Sequence, residues 1–171
     1  MKYAFGQRLG AFGMTAVLSV FGLGVLGKSC GPAPAPAPAA AVKVLAVGQD
    51  VVNQTNQNRA NVGLPPLVIN AQLTAAAEAH SAEQATRNTM THTGANGSNP
   101  GQRMKNAGYR PSTWGENVAA GYPDPASVVN GWINSPGHRA NILNPAFTEI
   151  GVGAVTSSSG AIYWTMDLGA P

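Results

Sequence analysis

Residues 132–143, WINSPGHRANIL, contain a helix boundary that organises the second half of the chain. Ser135 precedes Pro136, and proline is tolerated at the first helical position because its missing N–H would have no helical partner there. We therefore expect a helix to begin at Pro136, with the Ser135 hydroxyl accepting a hydrogen bond from the His138 N–H. The Asp124-Pro125 pair marks the start of the preceding helix in the same way.

Three more helices are predicted in the first half of the domain. Residues 71–89 are rich in alanine and contain neither Gly nor Pro, which favours one long helix. Residues 50–61 form an earlier helix, because Gly63 can end it and Pro65-Pro66 prevents its continuation. The Asn99-Pro100 pair predicts a further helix start by the same capping argument.

The C-terminal part of the chain changes from a helical period to a strand period. Apolar residues alternate with other residues in 149–155 and again in 162–168, with a Ser/Gly segment between the two runs. This pattern predicts an antiparallel hairpin. Helices followed by a small sheet predict an α+β layered domain. The 171-residue chain has room for one such domain plus extra segments, and we assign residues 48–171 to it.

The N-terminal segment differs in composition from the domain. Lys2 and Arg8 flank the start of an uncharged, mostly apolar run, 9–27, so we expect residues 1–30 to form an export signal. An uncleaved membrane anchor is the alternative. Residues 31–47 follow as a Pro/Ala-rich tether, since alternating Pro and Ala favour an extended spacer. Contact with a membrane is expected only through the N-terminus.

Cys30 is the single cysteine, and it lies where the signal meets the tether. One cysteine excludes an intrachain disulfide and a cysteine-only zinc cluster. The position is similar to that of the lipidated cysteine of bacterial lipoproteins, so we expect either lipidation of Cys30 or its removal with the signal. In both cases the domain is exported, to the cell surface or the extracellular space.

The net charge of +3 comes from the N-terminal segment and not from the domain. Four basic residues and no acidic residue precede Asp50, whereas six basic residues and seven acidic residues lie from Asp50 onward. The domain has no basic excess with which to neutralise phosphates, which excludes nucleic acid as a partner.

Three histidines and one acid are the candidate functional residues. His80 shares the apolar stripe of its predicted helix, so we expect a packed, hydrogen-bonded structural residue. His92 and Glu116, each taken alone, would be a solvated loop histidine and a surface or capping carboxylate. His138 lies at a helix N-terminus, whose positive end disfavours protonation and favours the neutral imidazole that a metal needs.

Five segments together make this domain resemble the CAP superfamily, also called the SCP domain, and in particular its bacterial exported branch. They occur in the order typical of that family and span nearly the whole predicted domain. The segments are HTG at 92–94, GEN at 115–117, WINSPGHRANIL at 132–143, FTEIGVG at 147–153 and YWT at 163–165. The resemblance implies an α-β-α sandwich with a small central antiparallel sheet.

The resemblance also implies a cavity that holds two histidines and two acids. It assigns His92 and His138 as the histidines, which would bind the metal, and Glu116 as one cavity acid. In eukaryotic relatives the second acid lies three residues after a tryptophan, but that position is Ser135 here. We consider Glu149 as the substitute for the missing cavity acid.

Three functional hypotheses follow. The preferred one is an exported, non-enzymatic binding module that holds zinc or another divalent cation at His92 and His138, with Glu116 fixing a ring or a bound water. Its partner would be a small apolar ligand or a component of the cell envelope. The second is a metal-dependent hydrolase of peptides or cell-wall material, although no His-Glu-x-x-His motif is present. The third is a structural His/Glu network that anchors loops of a surface-interaction domain.

Overall fold

The structure is a computed structural model that describes residues 39–171, with side chains described from Val47 onward. Five helices and four strands occur in this part of the chain. Their order is α1 (Ala39–Ala60), β1 (Val68–Ile69), α2 (Ala71–Arg87), α3 (Pro100–Asn106), β2 (Thr113–Ala120), α4 (Pro125–Asn134), α5 (Pro136–Ile142), β3 (Glu149–Thr156) and β4 (Ile162–Ala170). The predictions for the export signal, Cys30 and the tether up to residue 38 lie outside the described residues.

The four strands form one sheet in the order β1-β3-β4-β2. The predicted hairpin is confirmed, since β3 pairs antiparallel with β4, and β4 in turn pairs antiparallel with β2. The sheet is not purely antiparallel as expected, because the two-residue strand β1 pairs parallel with β3. The alternation of apolar residues in the sequence predicted neither β1 nor β2.

Helix α2 packs on one face of the sheet through two glycines of β3. A Cβ atom at Gly151 would lie 2.1 Å from the backbone carbonyl carbon of Leu73, and one at Gly153 would lie 2.4 Å from the carbonyl oxygen of Ala77. No side chain fits into such a gap, so these glycines let the helix backbone lie directly on the strand.

The opposite face of the sheet carries the main hydrophobic core, under α1, α4 and α5. Each large apolar side chain buried there contributes roughly 1.5–3 kcal/mol. The core residues are Val51, Val52, Leu67, Ala119, Val128, Val129, Trp132, Ile142, Phe147, Ile150, Val152, Trp164, Met166 and Leu168. Helices on both faces of one sheet make the α-β-α sandwich that the resemblance to the CAP superfamily implies.

The capping signals predicted all three helix starts, at Pro100, Pro125 and Pro136, but one of the expected capping bonds is not formed. Asn99 and Asp124 each accept a backbone N–H bond three residues on and complete a capping box, as expected for α3 and α4. The expected bond from the His138 N–H to the Ser135 hydroxyl is not formed. Ser135 also closes α4, where its own N–H donates to the carbonyl of Trp132, so one residue serves two helices.

Helix α1 begins eleven residues before its predicted start at Asp50. Residues 39–47, which the sequence assigned to the tether, are therefore helical. Four of these nine residues are alanine, the best helix former, and the stretch contains neither Gly nor Pro. None of the described helices is long and apolar enough to cross a membrane.

Candidate functional site

Glu116 is the centre of a hydrogen-bonded cluster at the edge of the sheet. It lies in the middle of β2, and its side chain is only 1% exposed. One carboxylate oxygen bonds to His92 Nδ1 at 2.7 Å, and the other accepts from an Nη atom of Arg103. A buried carboxylate needs partners of this kind, because an unpaired charge away from water is strongly disfavoured.

Arg103 reaches Glu116 from α3 and ties down the loop that carries His92. Its other Nη donates to the carbonyls of His92 at 2.9 Å and Ser98 at 3.0 Å. Its side chain is 10% exposed, so this ion pair is largely shielded from solvent. Arg103 thus places both the backbone of His92 and the carboxylate that the His92 ring contacts.

His92 presents one free ring nitrogen to solvent. A carboxylate can only accept, so in the neutral form of the ring Nδ1 carries the proton of this hydrogen bond and Nε2 keeps its lone pair. The side chain is 53% exposed. The hydrogen bond to Glu116 raises the pKa of His92 above its ordinary value, against a smaller opposing effect of burial.

His138 lies near His92 on the first turn of α5. Burial lowers the pKa of His138, and the charge on His92 lowers it further, so His138 favours the neutral form. The helix is fixed against β2 by amide side chains. Asn117 Nδ2 donates to the His138 carbonyl at 3.1 Å, and Asn141 Nδ2 donates to the Glu116 carbonyl at 3.2 Å.

His80 is separate from the pair formed by His92 and His138. It is 1% exposed on α2, and its Nε2 bonds to the carbonyl of Thr91 at 2.7 Å. Burial lowers the pKa of His80. These contacts fix the start of the loop that leads to His92.

The structure does not bring Glu149 to the histidines. The Glu149 carboxylate accepts from the Tyr109 hydroxyl at 2.6 Å and from Asn70 Nδ2 at 3.1 Å. Glu149 pairs with Gly169 on β4, whereas Glu116 pairs with Asp167, so the two acids lie two strands and two residues apart. These contacts do not support Glu149 as a second cavity acid, because strand alternation fixes the face of a side chain and not its position along the sheet.

Asp167 is the second acid near Glu116, and sequence analysis missed it. It is fully buried and lies directly opposite Glu116 in the β2–β4 register, so both side chains stand on the same face. A signal was present in the sequence: Asp167 is the one charged residue of the apolar strand Ile162–Ala170. Arg103 was also missed, since nothing local in α3 indicates which acid it meets.

The metal-binding hypothesis meets a clear limit in this geometry. Among the residues with described side chains, no group of three or more His, Cys, Asp or Glu is placed to hold a metal ion. Both oxygens of Glu116 are already bonded to protein groups. The described residues therefore do not form a closed four-ligand zinc site, and His92 and His138 are the two imidazoles left to consider as ligands.

Sequence comparison relates the chain to bacterial proteins. The cysteine-rich secretory protein family, CAP, matches residues 52–168. YkwD, an uncharacterised protein of Bacillus subtilis, is 43% identical over 122 residues, which cover 71% of this chain and 46% of YkwD. YlbC, an uncharacterised membrane protein of the same organism, is 30% identical over 105 residues, which cover 61% of this chain and 30% of YlbC. The chain thus spans less than half the length of either relative.

Solved structures show the same fold. An extracellular SCP-domain protein from Bacillus anthracis matches with a TM-score of 0.71 and 28% identity, over 80% of this chain and 45% of that one. An outer surface protein of Borrelia burgdorferi matches with a TM-score of 0.66 and 24% identity, over 71% of this chain and 90% of that one. The resemblance inferred from five short segments is confirmed by both comparisons, and the chain belongs to the CAP family.

Proposed function

We propose that this protein is an exported binding module that holds a divalent cation between His92 and His138, with a small ligand or water completing the coordination. One observation carries the proposal. The 2.7 Å bond between His92 Nδ1 and the buried Glu116 leaves Nε2 free on a half-exposed ring, near a second imidazole that favours the neutral form.

Glu116 acts on His92 and does not ligate the cation. A metal-binding histidine commonly donates its other ring N–H to a carboxylate, which fixes the tautomer and makes the ligand nitrogen more basic. Glu116 is suited to that role because Arg103 holds its second oxygen. When bound, the cation would act as a Lewis acid that attracts oxygen or nitrogen donors of the ligand.

Zinc titration by calorimetry tests this proposal. We expect one site in the wild-type protein and none in His92→Ala or His138→Ala, because each variant removes one of two protein ligands. Arg139→Ala, an exposed neighbour on α5, is the matched control and keeps the site. Affinity should fall from about pH 7.5 to about pH 5.5, since protons compete for the imidazoles. Binding that survives both histidine variants would overturn the proposal.

The apolar ligand considered in the sequence analysis gains no support from the cleft described next. A cleft of about 140 Å³, bordered by Val52, Ile69 and Val152, lies between α1, β1 and α2. Neither His92 nor His138 borders this cleft, so it does not place an apolar ligand beside the proposed cation. The hydrolase hypothesis also loses support, because Glu116, its expected base, has both oxygens engaged.

Export of the chain is the remaining part of the proposal. Its support is the charged and apolar N-terminal segment together with relatives described as an extracellular protein and an outer surface protein. Mass spectrometry of the mature N-terminus tests it. A lipid-modified Cys30 would identify a lipoprotein, cleavage elsewhere would identify a freely exported protein, and an intact N-terminus in the cytoplasm would contradict export.

A further inference from the structure

Asp167 is a buried carboxyl group to which the proposed function gives no role. Its side chain is fully buried in the centre of β4. Neither of its oxygens receives a hydrogen bond from an N–H or hydroxyl group in the described part of the chain. An ionised carboxylate without such donors is strongly disfavoured away from water. The surroundings of Asp167 must therefore account for a carboxyl group at this position.

Four charged or titratable groups surround this position. Glu116 stands opposite on β2, within hydrogen-bonding reach, and Arg103 approaches from α3. His92 and His80 lie beyond them, on the loop and on α2. The cluster therefore holds two acids beside one arginine, whose charge is already bonded to Glu116.

Both effects that dominate at Asp167 favour its protonated form. Burial raises the pKa of Asp167 well above its ordinary value, and the negative charge of Glu116 raises it further. Arg103 opposes this shift to a smaller extent. A protonated carboxyl group can donate one hydrogen bond, and the Glu116 carboxylate opposite can accept it.

We propose that Asp167 is a positioning residue whose protonated carboxyl group donates a hydrogen bond to Glu116 and so holds Glu116 against the His92 ring. The donated bond also withdraws negative charge from Glu116, which moderates how strongly Glu116 retains a proton on His92. This inference rests on the proposed role of His92, but its test needs no metal.

Retaining an acid here makes the fold less stable at neutral pH. In the unfolded chain, Asp167 releases its proton near pH 4, whereas the folded protein retains it to higher pH. The folded state binds more protons over that interval, so this group makes stability fall as pH rises. Asp167→Asn keeps a donor to Glu116 without the titration, and we expect it to be more stable than wild type at pH of about 7 and above.

NMR of the uniformly labelled protein tests the inference directly. The carboxyl carbon of Asp167 should show the protonated form at neutral pH. The titration midpoint of His92 should match wild type in Asp167→Asn and rise in Asp167→Ala, which leaves Glu116 a stronger acceptor. Asp50→Asn, at an exposed acid on α1, is the control and should leave His92 unchanged.

The outcomes separate this inference from the proposed function. If Asp167 were ionised, its carboxyl carbon would titrate in the ordinary acidic range, and Asp167→Asn would lower the midpoint of His92 by removing a negative charge. Either result would overturn the inference. If Asp167→Ala does not fold, the carboxyl signal and the Asn variant still decide. Failure of zinc binding with the expected His92 behaviour would refute the cation proposal alone.

Discussion

Removal of the negative charge at Glu116 is expected to destabilise this protein strongly. Glu116→Gln keeps the size of the side chain but can no longer balance Arg103, whose side chain is 10% exposed. Removing one partner of a buried ion pair costs about 3–5 kcal/mol, because the other charge is left uncompensated. Asp167 can release its proton and take over part of this role, so we expect a loss of about 3 kcal/mol.

Urea unfolding at neutral pH measures this loss, with Glu83→Gln as the matched control. Glu83 pairs with Arg87 one helical turn away, and their side chains are 29% and 42% exposed. Such exposed pairs contribute about 0.3–0.5 kcal/mol. Equal losses of stability in the two variants would show that Glu116 does not balance a buried charge.

Three further predictions concern packing, pH and a peripheral contact. Gly153→Ala should lower the free energy of unfolding by about 3 kcal/mol or prevent folding, because the added Cβ would meet the backbone of α2. The control is Gly137→Ala, whose added Cβ meets no atom and which should be neutral or stabilising. Thermal melts of both variants measure the difference. The hydrogen bond of His92 to Glu116 raises the pKa of His92 in the folded protein. The stability that this residue contributes should therefore be complete below about pH 6.5 and lost as the pH rises through the folded pKa. Urea unfolding of His92→Ala should differ from that of wild type more at low pH than at high pH. Tyr109→Phe should lose about 1–1.5 kcal/mol in the same assay, because the hydroxyl that bonds to Glu149 disappears; an unchanged value would show that the bond is not formed.

Local sequence signals predicted most of the helices and the hairpin. Asn99 and Asp124 each cap the helix that follows, because a cap depends only on residues within one turn. The β3–β4 hairpin follows from alternation around a short turn for the same reason. Ser135 begins α5 as predicted, but its hydroxyl makes no capping bond, and its N–H closes α4.

The partners within the site could not be predicted in the same way. The resemblance identified His92, His138 and Glu116, but Arg103 and Asp167 meet Glu116 only after α3 docks and β4 pairs with β2. Contacts of this kind depend on the register between strands distant in sequence, which local patterns do not specify. Glu149 shows the same limit: it was expected near the histidines, but its carboxylate bonds to Tyr109 and Asn70.

The ring nitrogens of the three histidines provide the most direct test of the central claim that Glu116 fixes His92 for cation binding. A long-range proton–nitrogen NMR spectrum, recorded above pH 7, reports which nitrogen of each ring carries the proton. We predict that His92 is protonated at Nδ1 and that added zinc shifts Nε2 of His92 together with one ring nitrogen of His138, leaving His80 unchanged. A His92 ring protonated at Nε2, or a zinc response centred on His80, would contradict the account.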